Sequence, residues 1–222
     1  MNFPDGLFTS DWAIGAFLPL GLIWLWCLRT APWKRLADSY QMHAWLGSIV
    51  VLVLLWSMKA GVKPGLNLHL LGATAFTLMF GRQLAIVGFS IVVAAVTFNG
   101  GAGWDAYALN ILFCAIFPCF VADLLLRAVE RYLPPNVFCY IFCAAFFGAA
   151  IAVMSTGLLT SLMLWLAGVY PADTLFDEYF PYYMLLGFAE AWINGAIITL
   201  MVVYYPYWVG SFDERRYLCR GR

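Results

Sequence analysis

The chain has 222 residues, of which 64% are hydrophobic, 18% aromatic and only 11% charged, and its formal net charge is zero. This composition excludes a soluble domain, which has no use for so much apolar surface, and a nucleic-acid binder, which would carry a basic face. It defines an all-α, polytopic membrane helical bundle, because the apolar runs are longer and more continuous than the ~10-residue alternating strands of a membrane barrel. No Gly-x-x-x-x-Gly-Lys-Ser/Thr phosphate loop occurs, so any ATP hydrolysis belongs to another chain.

Taken in order, the chain opens with MNFPDG. Its first charges, Asp5 and Asp11, are acidic where a secretory signal would carry Lys or Arg, so this start reads as part of the mature chain, with Met1 retained. About seven apolar spans follow, at residues 12–28, 43–58, 66–80, 84–98, 107–126, 137–167 and 182–205. The sixth is long enough to tilt, or to break near residues 155–157. Basic residues set the orientation. With the N-terminus outside, Arg29, Lys34, Arg35, Arg82, Arg127, Arg131, Arg215, Arg216, Arg220 and Arg222 fall inside, and only Lys59 and Lys63 fall outside. An odd number of spans then puts the C-terminus inside. Residues 1–210 form one transmembrane domain, with segment 1–10 folding into the outer mouth, and residues 211–222 form a short basic cytoplasmic tail.

Residues 65–81, GLNLHLLGATAFTLMFG, are apolar but reach only about 25 Å as a helix, short of the ~30 Å hydrocarbon core. His69 stands at the outer end of this stretch, where it is either an interfacial anchor or a binding group. Glu190 lies about a third of the way into the last span, where a carboxylate costs a few kcal/mol unless it is paired or faces a wet interior. Asn194 is one turn further on the same face, beside a stripe of small residues, Gly187, Ala191 and Gly195, that permits close helix packing. Glu190 thus reads either as a polar clamp between helices or as a cavity-lining group. Asn110 is placed to hydrogen-bond across helices, and Asp123 to pair with Arg127 one turn away.

The remaining polar features have bland explanations. His43 falls at the inner interface. The loop NGGAG at residues 99–103 follows no strand and is not a phosphate loop. Aromatic residues at span ends, such as Trp104, Tyr107, Tyr179 and Tyr182, form an interfacial belt. No cysteine falls in a clear outer loop, so no structural disulfide is expected. Cys139 and Cys143, one turn apart, could share a soft metal, but buried cysteine is more often a small hydrophobe.

Together these pieces resemble the CbiM/NikM family, the membrane substrate-binding component of cobalt/nickel energy-coupling-factor transporters. That family opens with Met-His-(Ile/Met)-(Pro/Met)-(Asp/Glu)-Gly; here the stretch is Met1-Asn2-Phe3-Pro4-Asp5-Gly6. Its His-Leu-Leu-Gly matches His69-Leu70-Leu71-Gly72, followed by Phe80-Gly81. Its Asn in the fifth span matches Asn110, and its final Gly-x-x-Glu-(Ala/Gly) matches Gly187-Phe188-Ala189-Glu190-Ala191. The resemblance implies a square-planar metal site made by the Met1 amine, the residue-2 peptide nitrogen and side chain, and His69. Four nitrogens in a plane suit Ni(II). The chain departs from the pattern at residue 2, which is Asn rather than His.

The resemblance therefore implies a substrate-capture subunit of an energy-coupling-factor-type ABC transporter, multi-pass in a bacterial or archaeal inner membrane. Co2+ or Ni2+ would be its transported substrate, with no permanently bound cofactor. Its partners would be membrane lipid, a coupling transmembrane subunit and ATPase subunits in other chains. Two alternatives stand beside it: a same-fold transporter of a small organic solute, and a structural or assembly protein with a decayed metal site. A membrane enzyme is disfavoured, since no nucleophile pairs with a base and the two histidines fall on opposite sides.

Overall fold

The computed structural model describes residues 2–218. Helices α1 (Ser10–Thr30) and α2 (Ser39–Ser57) are joined by a tight helical turn at Trp33–Ala37. At 1.5 Å per residue both approach the thickness of the hydrocarbon core. Ile14, Leu18 and Leu22 on α1 are more than half exposed, as on a helix whose outer side meets acyl chains instead of water.

The stretch that reads as a third span is built differently. After α2 the chain forms an antiparallel hairpin, β1 (Ala60–Lys63) and β2 (Leu66–Leu68), with Ala60 opposite Leu68 and a bulge between Gly61 and Lys63. Gly65 makes the turn at φ +79°, a left-handed value that side chains resist. The chain turns again at Gly72, φ +65°, and only then enters α3 (Ala73–Phe80), whose eight residues are all buried. Two turns of helix, about 12 Å, do not cross a bilayer. Irregular backbone at this depth is tolerated because protein, not lipid, surrounds it.

That surround comes from α4 (Arg82–Phe98), α5 (Tyr107–Tyr132), α6 (Val137–Leu166) and α7 (Thr174–Tyr204), all of which contact α3. α1, α2, α5, α6 and α7 are long and apolar enough to span a membrane, and α4 is a shorter apolar helix. Two wide π-helical turns precede prolines: Leu112–Ile116 before Pro118, and Thr174–Tyr179 before Pro181. Proline lacks an N–H and crowds the preceding turn, and a wider turn relieves both. α6 has its π-helical turn at Tyr140–Phe146 and runs unbroken through residues 155–157, where the sequence suggested a tilt or break.

Small residues close the α6–α7 contact. A Cβ on Gly157 would stand 2.2 Å from the Tyr183 ring, one on Gly187 3.2 Å from Met154, and one on Gly195 3.1 Å from Phe146. The Gly187–Ala191–Gly195 stripe is therefore a packing surface, as its spacing suggests.

At the end away from the hairpin, the chain after α7 folds back under α3. Gly210 N–H donates to Met79 O at 2.8 Å, and Ser211 donates to Leu78 O, satisfying carbonyls that a helix end leaves open. The segment that reads as a basic tail packs on the body. Tyr217, in the one-turn helix α8 (Glu214–Tyr217), stacks on Phe212 at 5.2 Å, and Arg216 pairs with Glu130 at 3.2 Å. Arg220, Arg222 and Cys219 lie outside the described residues. Asp123 pairs with Arg127 at 2.8 Å, as expected, and also with Arg82 at 2.9 Å. Cys139 and Cys143 belong to no group of three metal-ligating side chains among the described residues.

Candidate metal centre

The N-terminal segment is threaded into the hairpin end of the bundle and held by its backbone. Asn110 of α5 accepts from Phe3 N–H at 2.8 Å and donates to Phe3 O at 3.2 Å, a two-point grip such as a neighbouring strand would supply. Gly103 N–H adds a bond to Phe3 O at 2.9 Å, and Asp5 accepts from Asp105 N–H at 2.9 Å. Gly103 approaches so closely that a Cβ there would lie 2.2 Å from the Asp5 nitrogen. Phe3 is fully buried and meets Phe8 edge to face. Asn110 thus sets where residue 2 lies.

Asn2 and His69 meet there. Asn2 is 2% exposed and His69 3%. Asn2 Oδ1 lies 3.2 Å from His69 Nε2, and Asn67 of β2 donates to Asn2 O at 3.3 Å. His69 Nδ1 lies 3.1 Å from Leu70 O, a pure acceptor, and the tautomer with the ring proton on this nitrogen leaves the Nε2 lone pair free. Neutral imidazole then presents the Nε2 lone pair to Asn2, whose oxygen is a second acceptor. Two cis donors about 2.0–2.1 Å from one cation stand about 2.9 Å apart, close to the spacing found here. Asn2 Nδ2 has no partner among the described residues. Trp56 braces the arrangement: its ring lies 4.4 Å from that of His69, and its indole N–H donates to Leu71 O at 3.2 Å. Met1 lies outside the described residues.

One layer deeper, α7 reaches the same segment. Glu190, 1% exposed, accepts from Leu71 N–H and from Gly72 N–H at 3.1 Å, and takes a third bond from Asn194 Nδ2 at 2.5 Å. Asn194 Oδ1 accepts from Ala75 N–H at 2.8 Å. Glu190 and Asn194 together satisfy amide hydrogens at the start of α3 that no helical carbonyl can reach. Five of the six residues singled out by the sequence, all but Met1, therefore divide. Asn2 and His69 face each other, Asn110 holds the segment of the first, and Glu190 with Asn194 hold the segment of the second.

Sequence reasoning missed Asn67, Trp56 and Tyr179. Tyr179 donates to Asn67 O at 3.3 Å and meets Tyr183 OH at 2.9 Å. Their signals were ambiguous: Asn67 and Trp56 sit in apolar runs, and Tyr179 reads as a belt aromatic. A cavity of about 460 Å³ opens onto Asn2 from the hairpin end, between Asp5, Lys59, Asn67 and Trp104. A separate apolar groove runs between α2 and α7, with Glu190 in its wall and His43 among its lining residues. His43 is exposed and lies 2.5 Å from Ser39 O of its own helix, with no part in the centre.

Fold and site define a multi-pass membrane protein with a buried polar centre at one end. Residues 2–208 match the family described as the cobalt uptake substrate-specific transmembrane region, CbiM. The chain belongs to this family, a membrane component of metal transport. Its fold is similar to a crystal structure described as a truncated transition metal transporter, with a TM-score of 0.78 and 15% identity, over 92% of this chain and 99% of the other. A second, described as a transition metal transporter, gives the same score and identity over 90% and 92%. No curated protein sequence matches the chain.

Proposed function

We propose that the chain is the substrate-capture subunit of an energy-coupling-factor-type ABC transporter and imports a divalent transition-metal ion of the cobalt or nickel class. The observation that carries this reading is the convergence of His69 Nε2 and Asn2 Oδ1, 3.2 Å apart and shielded from solvent. Imidazole is a good ligand for these ions. The Met1 amine and the Asn2 peptide nitrogen would complete the donor set. Oδ1 of Asn2 closes a six-membered chelate ring with its own peptide nitrogen, the ring size that histidine would close through Nδ1. The carboxamide oxygen therefore stands where an imidazole nitrogen would. It is the harder and weaker donor, and it gives less drive to deprotonate the peptide nitrogen.

In this reading the hairpin end faces outward, and the ion arrives through the cavity above Asn2. Binding and hand-over involve no covalent step. A coupling transmembrane subunit and ATPase subunits in other chains drive release inside. Metal analysis of the purified chain tests it: stoichiometric Co or Ni should be retained and should vanish in His69→Ala. Metal content indifferent to His69 would sink the assignment.

A second reading, capture of a small organic solute, draws support from the size of the cavity, about 460 Å³, which exceeds what a bare ion fills. Thermal stabilisation by a solute in the presence of a chelator would favour it.

A further inference from the structure

Glu190 poses a problem that its packing does not solve. Leu71 N–H, Gly72 N–H and Asn194 Nδ2 all donate to its two oxygens. Asn194 cannot be reversed, because its oxygen is committed to Ala75 N–H. Every neighbour named is a donor, which suits the acceptor-only carboxylate. Yet Glu190 enters no ion pair among the described residues. By contrast, Asp123 is only partly buried and has two arginines. The start of α3 offers about half a positive charge. A neutral Gln or Asn could cap that helix at far lower cost in a membrane. The remaining half-charge is unbalanced.

We propose that the missing positive charge is the cargo, and that Glu190 is both the positioning residue and the buried counter-charge of the metal centre, an inference that rests on the metal reading above. Glu190 holds the amides of residues 71 and 72, and His69 is two residues from the first of them. A chain of that length keeps the carboxylate within about 15 Å of an ion at His69 Nε2. Between them lies packed protein, where charges are screened much less than in water. A divalent ion settling against His69 and Asn2 therefore gains from an anion it does not touch. The hydrogen bonds add a second effect, since they fix the turn that aims the imidazole.

The two effects separate by cargo charge. Coulomb energy is linear in charge, so removing the carboxylate should lower affinity for a divalent ion by the square of the factor for a monovalent one. Positioning alone would weaken both equally. The experiment titrates the full-length purified chain with Ni2+ and with Ag+, a monovalent ion that also binds imidazole. Glu190→Gln should weaken Ni2+ at least tenfold and Ag+ by a clearly smaller factor, because any positioning loss multiplies both alike and only the Coulomb part scales with charge. Glu190→Asp, which keeps the charge and shortens the reach, should weaken both ions by a common factor. Equal losses in Glu190→Gln, or none, would overturn the counter-charge assignment, as would a Ni2+-selective loss in Glu190→Asp. If His69→Ala leaves both titrations unchanged, the metal reading itself has failed, a result distinct from either.

Discussion

The two ends of the molecule treat polar groups in opposite ways. Away from the hairpin, charges are closed off against one another. Asp123 is shared by Arg82 and Arg127, Arg216 bonds Glu130, and Arg35 donates to Trp208 O at 3.1 Å. Arg82 also lies over the Trp26 and Phe120 rings, at 4.9 and 5.1 Å. At the hairpin end the buried groups are mostly neutral amides and an imidazole, and none of them enters an ion pair among the described residues. Asn2 Nδ2 has no partner among the described residues, His69 Nε2 faces a second acceptor, and Glu190 has donors but no cation. Ion pairs between neighbouring elements hold a fold together. Two acceptors that converge in a buried place, His69 Nε2 and Asn2 Oδ1, are arranged for something that arrives.

This contrast can be broken by mutation. The largest effect after loss of His69 should come from Asn110→Leu. It keeps the branched shape but releases the Phe3 backbone and strands a buried N–H, at about 1–3 kcal/mol. Apparent metal affinity should fall about tenfold or more, and hydrogen exchange should rise at residues 3–5. Unchanged exchange there would mean the segment is held by other contacts. Next comes Gly103→Ala, whose methyl group would meet Asp5 and push the segment outward. It should weaken metal binding severalfold with little change in melting temperature.

At the opposite end, Asp123→Asn should do the reverse. It leaves two arginines without their carboxylate, a loss of about 1.5–3 kcal/mol for hydrogen bonds to charged groups. The melting temperature should drop by several degrees while metal affinity stays within about twofold. A matching loss of metal binding would show that the two ends are coupled and the contrast is false. The smallest effect belongs to Tyr179→Phe. It removes the long bond to Asn67 O and the one to Tyr183 OH, neither of which involves Asn2 or His69, and a titration should register less than a threefold change.

How much of this could be read beforehand depended on the range of the signal. Long apolar runs predict α1, α2, α5, α6 and α7, because a run of about 20 apolar residues has few other homes. Helical spacing predicts the small-residue stripe on α7 and the Asp123–Arg127 pair, because both are local. The hairpin and the shortness of α3 stayed hidden for an equally physical reason. In KPGLNLHLLG the strand is three residues long, and no periodicity separates such a run from the start of a helix. Only Gly65 and Gly72, at positive φ, mark the breaks. The wide turn before Pro118 was missed because proline was read as part of the span, and the one before Pro181 because residues 174–179 were read as outer loop.

The site was half legible. His69 and Glu190 stand out as expensive residues in an apolar chain, and the resemblance singled out Asn2 and Asn110. What the sequence does not carry is the pairing: Phe3 meets Asn110 across 107 residues, and Leu71 meets Glu190 across 119. Contacts that distant come from the topology of the whole bundle, not from any pattern within a window. Trp56 and Asn67 were invisible for the same reason.

The central claim is that residue 2 and His69 share one metal ion. It is tested most directly by titrating the Asn2→His chain with Ni2+ beside the native chain. The substitution restores an imidazole nitrogen to the position that Oδ1 now occupies. The account predicts that Ni2+ binds at least tenfold more tightly and that the gain disappears when His69 is also replaced by alanine. An affinity that does not move, or a gain that survives the loss of His69, would contradict it.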